Sequence, residues 1–304
     1  MRPEISVIIP FYRGERWLPG SLSSALAQEG VSLEVLVVDD GSDRPPDDIV
    51  SSFADGRIRL HRATHGGKGA AVNAGVQLAR SELVCVLDQD DEMLPGRLKA
   101  QAAAFQRRPT TDAVYSDYER RDDQGMLIDV FTSRRAAPEE LLHCLATGSG
   151  LFSMQTLLLR KRAVDKLEGF SSDDGITGFD DADFFVRLLL SGCQLDYVPG
   201  VFARWISHGS NYSKSARFQE ARLAWLARLT ALAEAFPSLR RELPFFKAHH
   251  YTMMGLFYLH DNRPVDAARH FAKVIKAFPC NANAHYLLLK SLAQSVMVRR
   301  CRRG

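Results

Sequence analysis

The sequence predicts an α/β protein, with a mostly parallel sheet carrying helices on both faces, followed by an all-helical region. Three observations carry this. Short β-rich runs alternate with stretches of helical apolar spacing from Ile5 to about Leu87, the pattern of repeated βαβ units. Beyond about Ser215 that alternation stops and Leu- and Ala-rich helical stretches such as Ala221–Phe236 take over. The 304 residues, 46% hydrophobic and 25% charged, are enough for a large core, and this composition excludes collagen-like, coiled-coil and wholly disordered chains. Residues 1–214 are therefore expected to form the α/β domain and residues 215–304 the helical region.

In chain order, strands are expected at Ile5–Pro10, Leu33–Val38, Ile58–His61 and Leu83–Leu87, and helices between them at Glu15–Gln28, Pro46–Phe53 and Lys68–Arg80. A helix follows Pro95. Ala113–Tyr118 and Met126–Phe131 read as strands joined by a turn at Asp122–Gly125, and Leu157–Leu159 and Leu195–Val198 as two more. Asp180–Leu190 reads as a helix capped by its acidic start. In the helical region Tyr251, Met254, Gly255, Tyr258, Ala267, Phe271 and Pro279 fall on the spacing of one tetratricopeptide-like helix pair, which cannot bury its apolar face alone.

Net charge is +3 from 39 basic and 36 acidic residues, which argues neither for nor against nucleic acid. No apolar stretch reaches the ~18–20 residues of a membrane span, and the run at Ile5 is too short for a signal peptide, so a cytoplasmic location is expected. Five scattered cysteines with no Cys-x-x-Cys suit reduced thiols, with Cys85 and Cys193 in apolar surroundings.

Four segments bring chemistry to strand ends or helix starts, where open α/β sheets bind ligands. Pro10-Phe11-Tyr12 ends a strand with a ring that a base could stack on or that packs in the loop. Asp39-Asp40 follows a buried strand and can accept hydrogen bonds from a ligand or cap the next turn. In Asp88-Gln89-Asp90-Asp91 the alternation of a strand would turn Asp88 and Asp90 to one side and Gln89 away; two close carboxylates favour a hard divalent cation, Mg²⁺ or Mn²⁺. Asp180, Asp181 and Asp183 give a helix start more acid than a cap needs, and one of them can serve as a general base. Gly67-Lys68-Gly69 lacks the third glycine of a dinucleotide fingerprint and the Ser or Thr of a Walker A loop, so redox and ATPase readings lose ground.

In this order and spacing, Ile5-Ser6-Val7-Ile8-Ile9-Pro10, Val37-Val38-Asp39-Asp40-Gly41-Ser42, Gly69-Ala70-Ala71-Val72-Asn73-Ala74-Gly75, Leu87-Asp88-Gln89-Asp90-Asp91 and Asp180-Asp181 resemble family 2 of the inverting glycosyltransferases over about the first 210 residues. The resemblance implies the GT-A fold, a Rossmann-like α/β arrangement. It implies that Pro10, Tyr12, Asp39 and Asp40 lie at the nucleotide base, Lys68 near the nucleotide, Asp88 at the ribose, Asp90 and His208 at a Mn²⁺ or Mg²⁺ ion, and Asp181, with Asp180 beside it, at the acceptor as base. Asp180 stands where the family commonly has Glu, so Asp180, Asp181 and Asp183 stay open as the base. Val201 stands where the processive synthases carry the Gln of Gln-x-x-Arg-Trp, before Arg204-Trp205, which points to a non-processive enzyme.

The expected reaction is metal-dependent, inverting transfer from a nucleotide diphosphate sugar, UDP-linked by family default, to a hydroxyl of a saccharide or lipid-linked saccharide, with no nucleic-acid partner. Arg299-Arg300-Cys301-Arg302-Arg303 offers peripheral contact with the inner face of a membrane if that acceptor is lipid-linked. The alternative is a non-catalytic scaffold of the same fold whose helical region binds a protein; a nucleotidyltransferase lacks the basic Gly-rich signature near its first strand.

Overall fold

The computed structural model describes residues 2–149 and 153–301. The side chains of the basic run Arg299–Arg303, and residues 150–152, lie outside what is described. Among the described residues, β1 (Ile5–Phe11), β2 (Leu33–Asp39), β3 (Ile58–Arg62) and β4 (Leu83–Val86) pair in parallel in the order β3-β2-β1-β4. Between them run α1 (Leu18–Leu26), α2 (Asp47–Ser52) and α3 (Gly67–Leu78). Every residue of β1 and β2 is buried, as expected of strands covered on both sides.

Side-chain alternation shows how both sides are covered. Ile5, Val7, Ile9 and Phe11 join Leu18, Leu22 and Ala25 of α1 in one core. Ile8, pointing the other way, meets α3 so closely that a Cβ on Gly75 would sit 2.4 Å from it. The expected α/β fold is borne out.

The chain continues through β5 (Glu92–Met93), α4 (Arg97–Arg107), β6 (Ala113–Asp122), β7 (Leu127–Phe131), α5 (Pro138–Thr147), β8 (Leu158–Arg160), α6 (Lys161–Lys166), α7 (Asp180–Leu190) and β9 (Leu195–Ser207). The sheet is completed in the order β4-β8-β6-β9-β5. β8 is antiparallel to β4 and β6, β5 to β9 and β7 to β6, while β6 and β9 are parallel. The strand expected at Leu195–Val198 is far longer, because it passes Pro199-Gly200 through a register shift against β6. Gly200, at φ +131°, makes that turn, and the Asp117 carboxylate accepts its N–H at 3.2 Å. Proline and glycine together look like a strand stop in sequence; here they are a bulge.

Described residues within Met1–Leu141 and Gly150–Ala221 form one compact unit, and those within Leu142–Ser149 and Arg222–Gly304 a second. The second contains most of α8 (Ala216–Ala235), then α9 (Pro237–His260), α10 (Pro264–Ala277) and α11 (Ala282–Cys301). Its core includes Trp225 and Phe246, edge to face at 5.7 Å, and Ala267, Phe271 and Leu287. No described helix is long and apolar enough to cross a membrane. Cys85 and Cys193 are buried free thiols, and burial pushes Cys85 up to about 11.

Candidate active site

The carboxyl ends of β1, β2 and β4 open into a cleft of about 750 Å³ in the first unit, closed on its other sides by the start of α7, the segment after β9 and the first turn of α8. Pro10, Tyr12, Asp40, Lys68, Asp88, Asp90, Asp180, Asp181 and His208 all line it. Asp39 does not. It is buried behind the wall, where its Oδ1 accepts the Ser42 N–H at 3.0 Å and shapes the turn after β2.

Tyr12 sits half-buried at the end of β1, stacked on His65 with ring centroids 4.6 Å apart. The Asp40 carboxylate accepts the backbone N–H groups of Gly66 and Gly67 at 2.8 and 2.9 Å and lies 2.8 Å from His65 Nδ1. It thus holds the N-terminus of α3, where a negative charge is favoured by the exposed amides. That helix start carries Lys68 into the cleft.

Lys68 is the cationic centre of the site. Its Nζ lies 2.7 Å from Asp88 Oδ1 and 2.8 Å from Asp181 Oδ2. Burial pulls the ammonium down, but Asp181, Asp88 and Asp180 outweigh that and hold Lys68 well above its usual range. Burial pushes the Asp181 carboxyl up to about 7; Lys68 opposes the rise, and the charges of Asp180 and Asp88 add to it.

The expected strand alternation across Asp88–Asp90 is corrected by the structure. β4 ends at Val86, and Asp88–Asp91 form a turn closed by Asp91 N–H donating to Asp88 O at 3.1 Å. A turn, not a pleat, brings carboxylate oxygens of Asp88, Asp90 and Asp91 within 4.8 Å of one another. Gln89 does not point away: its Oε1 accepts the Tyr12 N–H at 2.9 Å and its Nε2 donates to Tyr12 O at 3.2 Å, tying the ends of β1 and β4 together.

Asp90 meets His208 Nε2 at 2.9 Å, and Asn211 Nδ2 lies 3.4 Å from the same oxygen. His208 is buried just past β9, stacked on Trp17 at 4.2 Å, with Nδ1 2.8 Å from Ser210 Oγ. Burial and Asp88 raise the Asp90 carboxyl, with His208 opposing. Asp91, fully buried, accepts the Ile206 N–H at 2.9 Å and an amide N–H of Gln155; burial and its two acidic neighbours hold it well above the usual carboxylate range. A hard cation fits these donors, since several like charges sit close together with an imidazole beside them. Asp88, Asp90 and His208 line the cleft and would hold one, and Asp91 also reaches its wall.

At α7 the expected side-chain cap is absent. Phe179 occupies the cap position, and Asp180 folds back so that its Oδ1 accepts the Gly178 N–H at 3.0 Å. Asp180 Oδ2 and Asp181 Oδ1 are buried and make no hydrogen bond. Asp183 turns out of the cleft into an ion pair with Arg187 at 2.7 Å. Sequence reasoning also missed Trp17, Gln89, Asn211 and Arg217 as cleft-lining residues. Trp17 and Arg217 stand next to no motif, and Arg217 lies beyond the expected domain boundary, so only the folded chain reveals them.

Residues 6–167 match the glycosyl transferase family 2 profile. The chain belongs to glycosyl transferase family 2. Among family relatives, an uncharacterised glycosyltransferase of Rickettsia felis is 25% identical over 238 residues, 76% of this chain and 39% of that protein. The succinoglycan biosynthesis protein ExoO of Rhizobium meliloti is 39% identical over 98 residues, 32% of this chain and 28% of that one. The chain thus spans well under half the length of these two relatives. Among solved structures, S. aureus TarS 1–349 in complex with UDP-GlcNAc superposes with TM-score 0.66 at 19% identity, covering 99% of this chain and 91% of that one. At that identity the likeness bears on the fold, and it agrees with the family's GT-A architecture.

Proposed function

We propose that this family 2 protein transfers a sugar, with inversion, from a nucleotide diphosphate sugar to a hydroxyl of a saccharide or lipid-linked saccharide, and that the transfer depends on Mn²⁺ or Mg²⁺. The observation that carries the reading is the meeting of Asp88, Asp90, Asp181, Lys68 and His208, drawn from four separate segments, around one cleft. A UDP-linked donor is supported by the TarS complex with UDP-GlcNAc, a saccharide product by ExoO's role in succinoglycan biosynthesis.

In this reading Tyr12 and Asp40 face the base, and Asp88 takes the ribose. Asp90 and His208 would hold the metal ion, which would supply positive charge to offset that on the departing diphosphate. Lys68 adds a second positive charge beside the nucleotide and holds Asp181 in place through Oδ2. Asp181 accepts the acceptor's hydroxyl proton during attack on the anomeric carbon, while Asp180 keeps the surroundings negative. Asp183 is the weakest of the three bases, because Arg187 engages it away from the cleft.

A non-processive enzyme is supported by Val201 in place of glutamine. The α9–α10 hairpin, with Met254, Gly255, Ala267 and Phe271 buried, supports reading it as one tetratricopeptide-like unit.

The test uses purified protein with UDP-sugars and Mn²⁺. Wild type is expected to bind UDP in a metal-dependent way and to release UDP from the donor. Asp181→Asn should bind UDP within about threefold of wild type yet lose turnover by about 10²–10⁴-fold, the usual contribution of a positioned base. An Asp181→Asn protein that turns over normally removes the base assignment, and a wild type that binds no nucleotide removes the whole reading.

A further inference from the structure

From Ala267 to Gly304 the sequence holds eight Lys and Arg and no Asp or Glu, whereas the whole chain nets only +3, so the rest of the chain is net acidic. Of these, Arg269, Lys273 and Lys276 lie on α10 and Lys290 on α11. α11 buries Ala284, Leu287 and Ser291 on one side, with Leu287 against Ala267 and Phe271 of α10. Its opposite side carries Tyr286, 62% exposed, Leu289, 67%, and Leu292, 48%, spaced three residues apart as one stripe. Lys290 is exposed beside the stripe, and Lys273 and Lys276 are exposed on α10. This side of α11 is apolar along the stripe, with Lys290 beside it.

We propose that this face of α11, flanked by α10, seats on an anionic lipid surface. Leucines and a tyrosine at the centre suit the boundary of headgroups and acyl chains, and an α11 that holds no acidic residue, with Lys290 exposed beside the stripe, suits a negative leaflet. A second copy of the chain fits poorly, because two α11 faces would oppose like charges and α11 offers no carboxylate to pair them. Nucleic acid fits poorly because the centre offers aliphatic side chains where phosphates or bases would need donors. The proposal deepens the lipid-linked acceptor reading, bringing the enzyme to where such an acceptor resides. Its readout is vesicle binding, so its failure leaves donor binding and Asp181-dependent transfer standing, and their failure leaves it standing.

The experiment is co-sedimentation of the full chain with vesicles of phosphatidylcholine alone or with about 30% phosphatidylserine, in low salt and at about 0.5 M salt, where surface charge is screened. Wild type is expected to partition at least about tenfold more onto the anionic vesicles and to lose most of that advantage in high salt. Leu289→Glu, exposed and therefore compatible with folding, should lower anionic partition at least about tenfold, and Lys273→Glu with Lys276→Glu about fivefold or more, with helical content unchanged by circular dichroism. Equal partition onto both vesicle types, no partition onto either, or a folded Leu289→Glu protein that binds like wild type overturns the proposal. So does a wild type that is dimeric without lipid and becomes monomeric on Leu289→Glu, since that assigns the face to a second copy.

Discussion

Two acidic turns follow parallel strands of the same sheet, Asp39-Asp40 after β2 and Asp88–Asp91 after β4, and they do different work. In the first, backbone amides claim the carboxylates: Ser42 for Asp39, Gly66 and Gly67 for Asp40. In the second, the oxygens crowd within 4.8 Å of one another, and Asp88 and Asp90 meet side chains, Lys68 and His208, that come from other parts of the chain. Amide partners are fixed by the backbone and stabilise the fold; crowded like charges cost stability and are relieved by a cation or by a ligand that redistributes charge. The first turn is mainly architectural, with Asp40 also touching the cleft; in the proposed reading the second is mainly functional.

Mutations at the two turns should therefore separate activity from stability. The largest effect is expected at the second: Asp90→Ala should lower metal-dependent transfer by about 10²-fold or more while leaving the melting temperature unchanged or higher, because one of three mutually repelling charges is gone. A fall in melting temperature as large as that at Asp40 would erase the contrast. Asp40→Ala should cost about 2–3 kcal/mol in denaturant unfolding, since two amides at the start of α3 lose a charged acceptor. Asp39→Ala, which strands one amide, should cost only about 1 kcal/mol by the same measurement.

The pH dependence sharpens the same point. With its pKa raised to about 7, Asp181 is ionised above that value and protonated below it, so turnover should fall about tenfold per pH unit on the acid side. The sign for stability is opposite. A carboxyl raised in the folded state contributes stability below its unfolded pKa that is lost as pH rises through about 7, so Asp181→Asn should gain in melting temperature relative to wild type at pH 8 and much less at pH 5. This thermal difference calls for paired melts across the pH range.

The Asp39 half of the first turn was readable in sequence, because a strand end followed by Asp, Gly and Ser closes on itself within three residues, whereas Asp40 finds its amides at Gly66 and Gly67, 26 and 27 residues on. The second turn was legible as an acidic cluster but not in its geometry: the alternation of a strand brought Asp88 and Asp90 together for the wrong reason, left out Asp91 and turned Gln89 the wrong way. The helix at Asp180–Leu190 was read to its ends, yet its cap was not, because Phe179 rather than an acid takes that position. Trp17 and Arg217 carried no signal, as neither belongs to a motif and both reach the cleft only through the packing of distant segments.

By itself the sequence determined the alternation of strands and helices, the buried parallel core and the strand ends at which acids are presented, since apolar periodicity and turn chemistry act over a few residues. Tertiary structure alone decided which of those acids remain available. Whether a carboxylate is held by a backbone amide, paired with Lys68 or left beside another carboxylate depends on groups up to 118 residues away, as with Asp90 and His208, brought within about 3 Å only when the sheet closes.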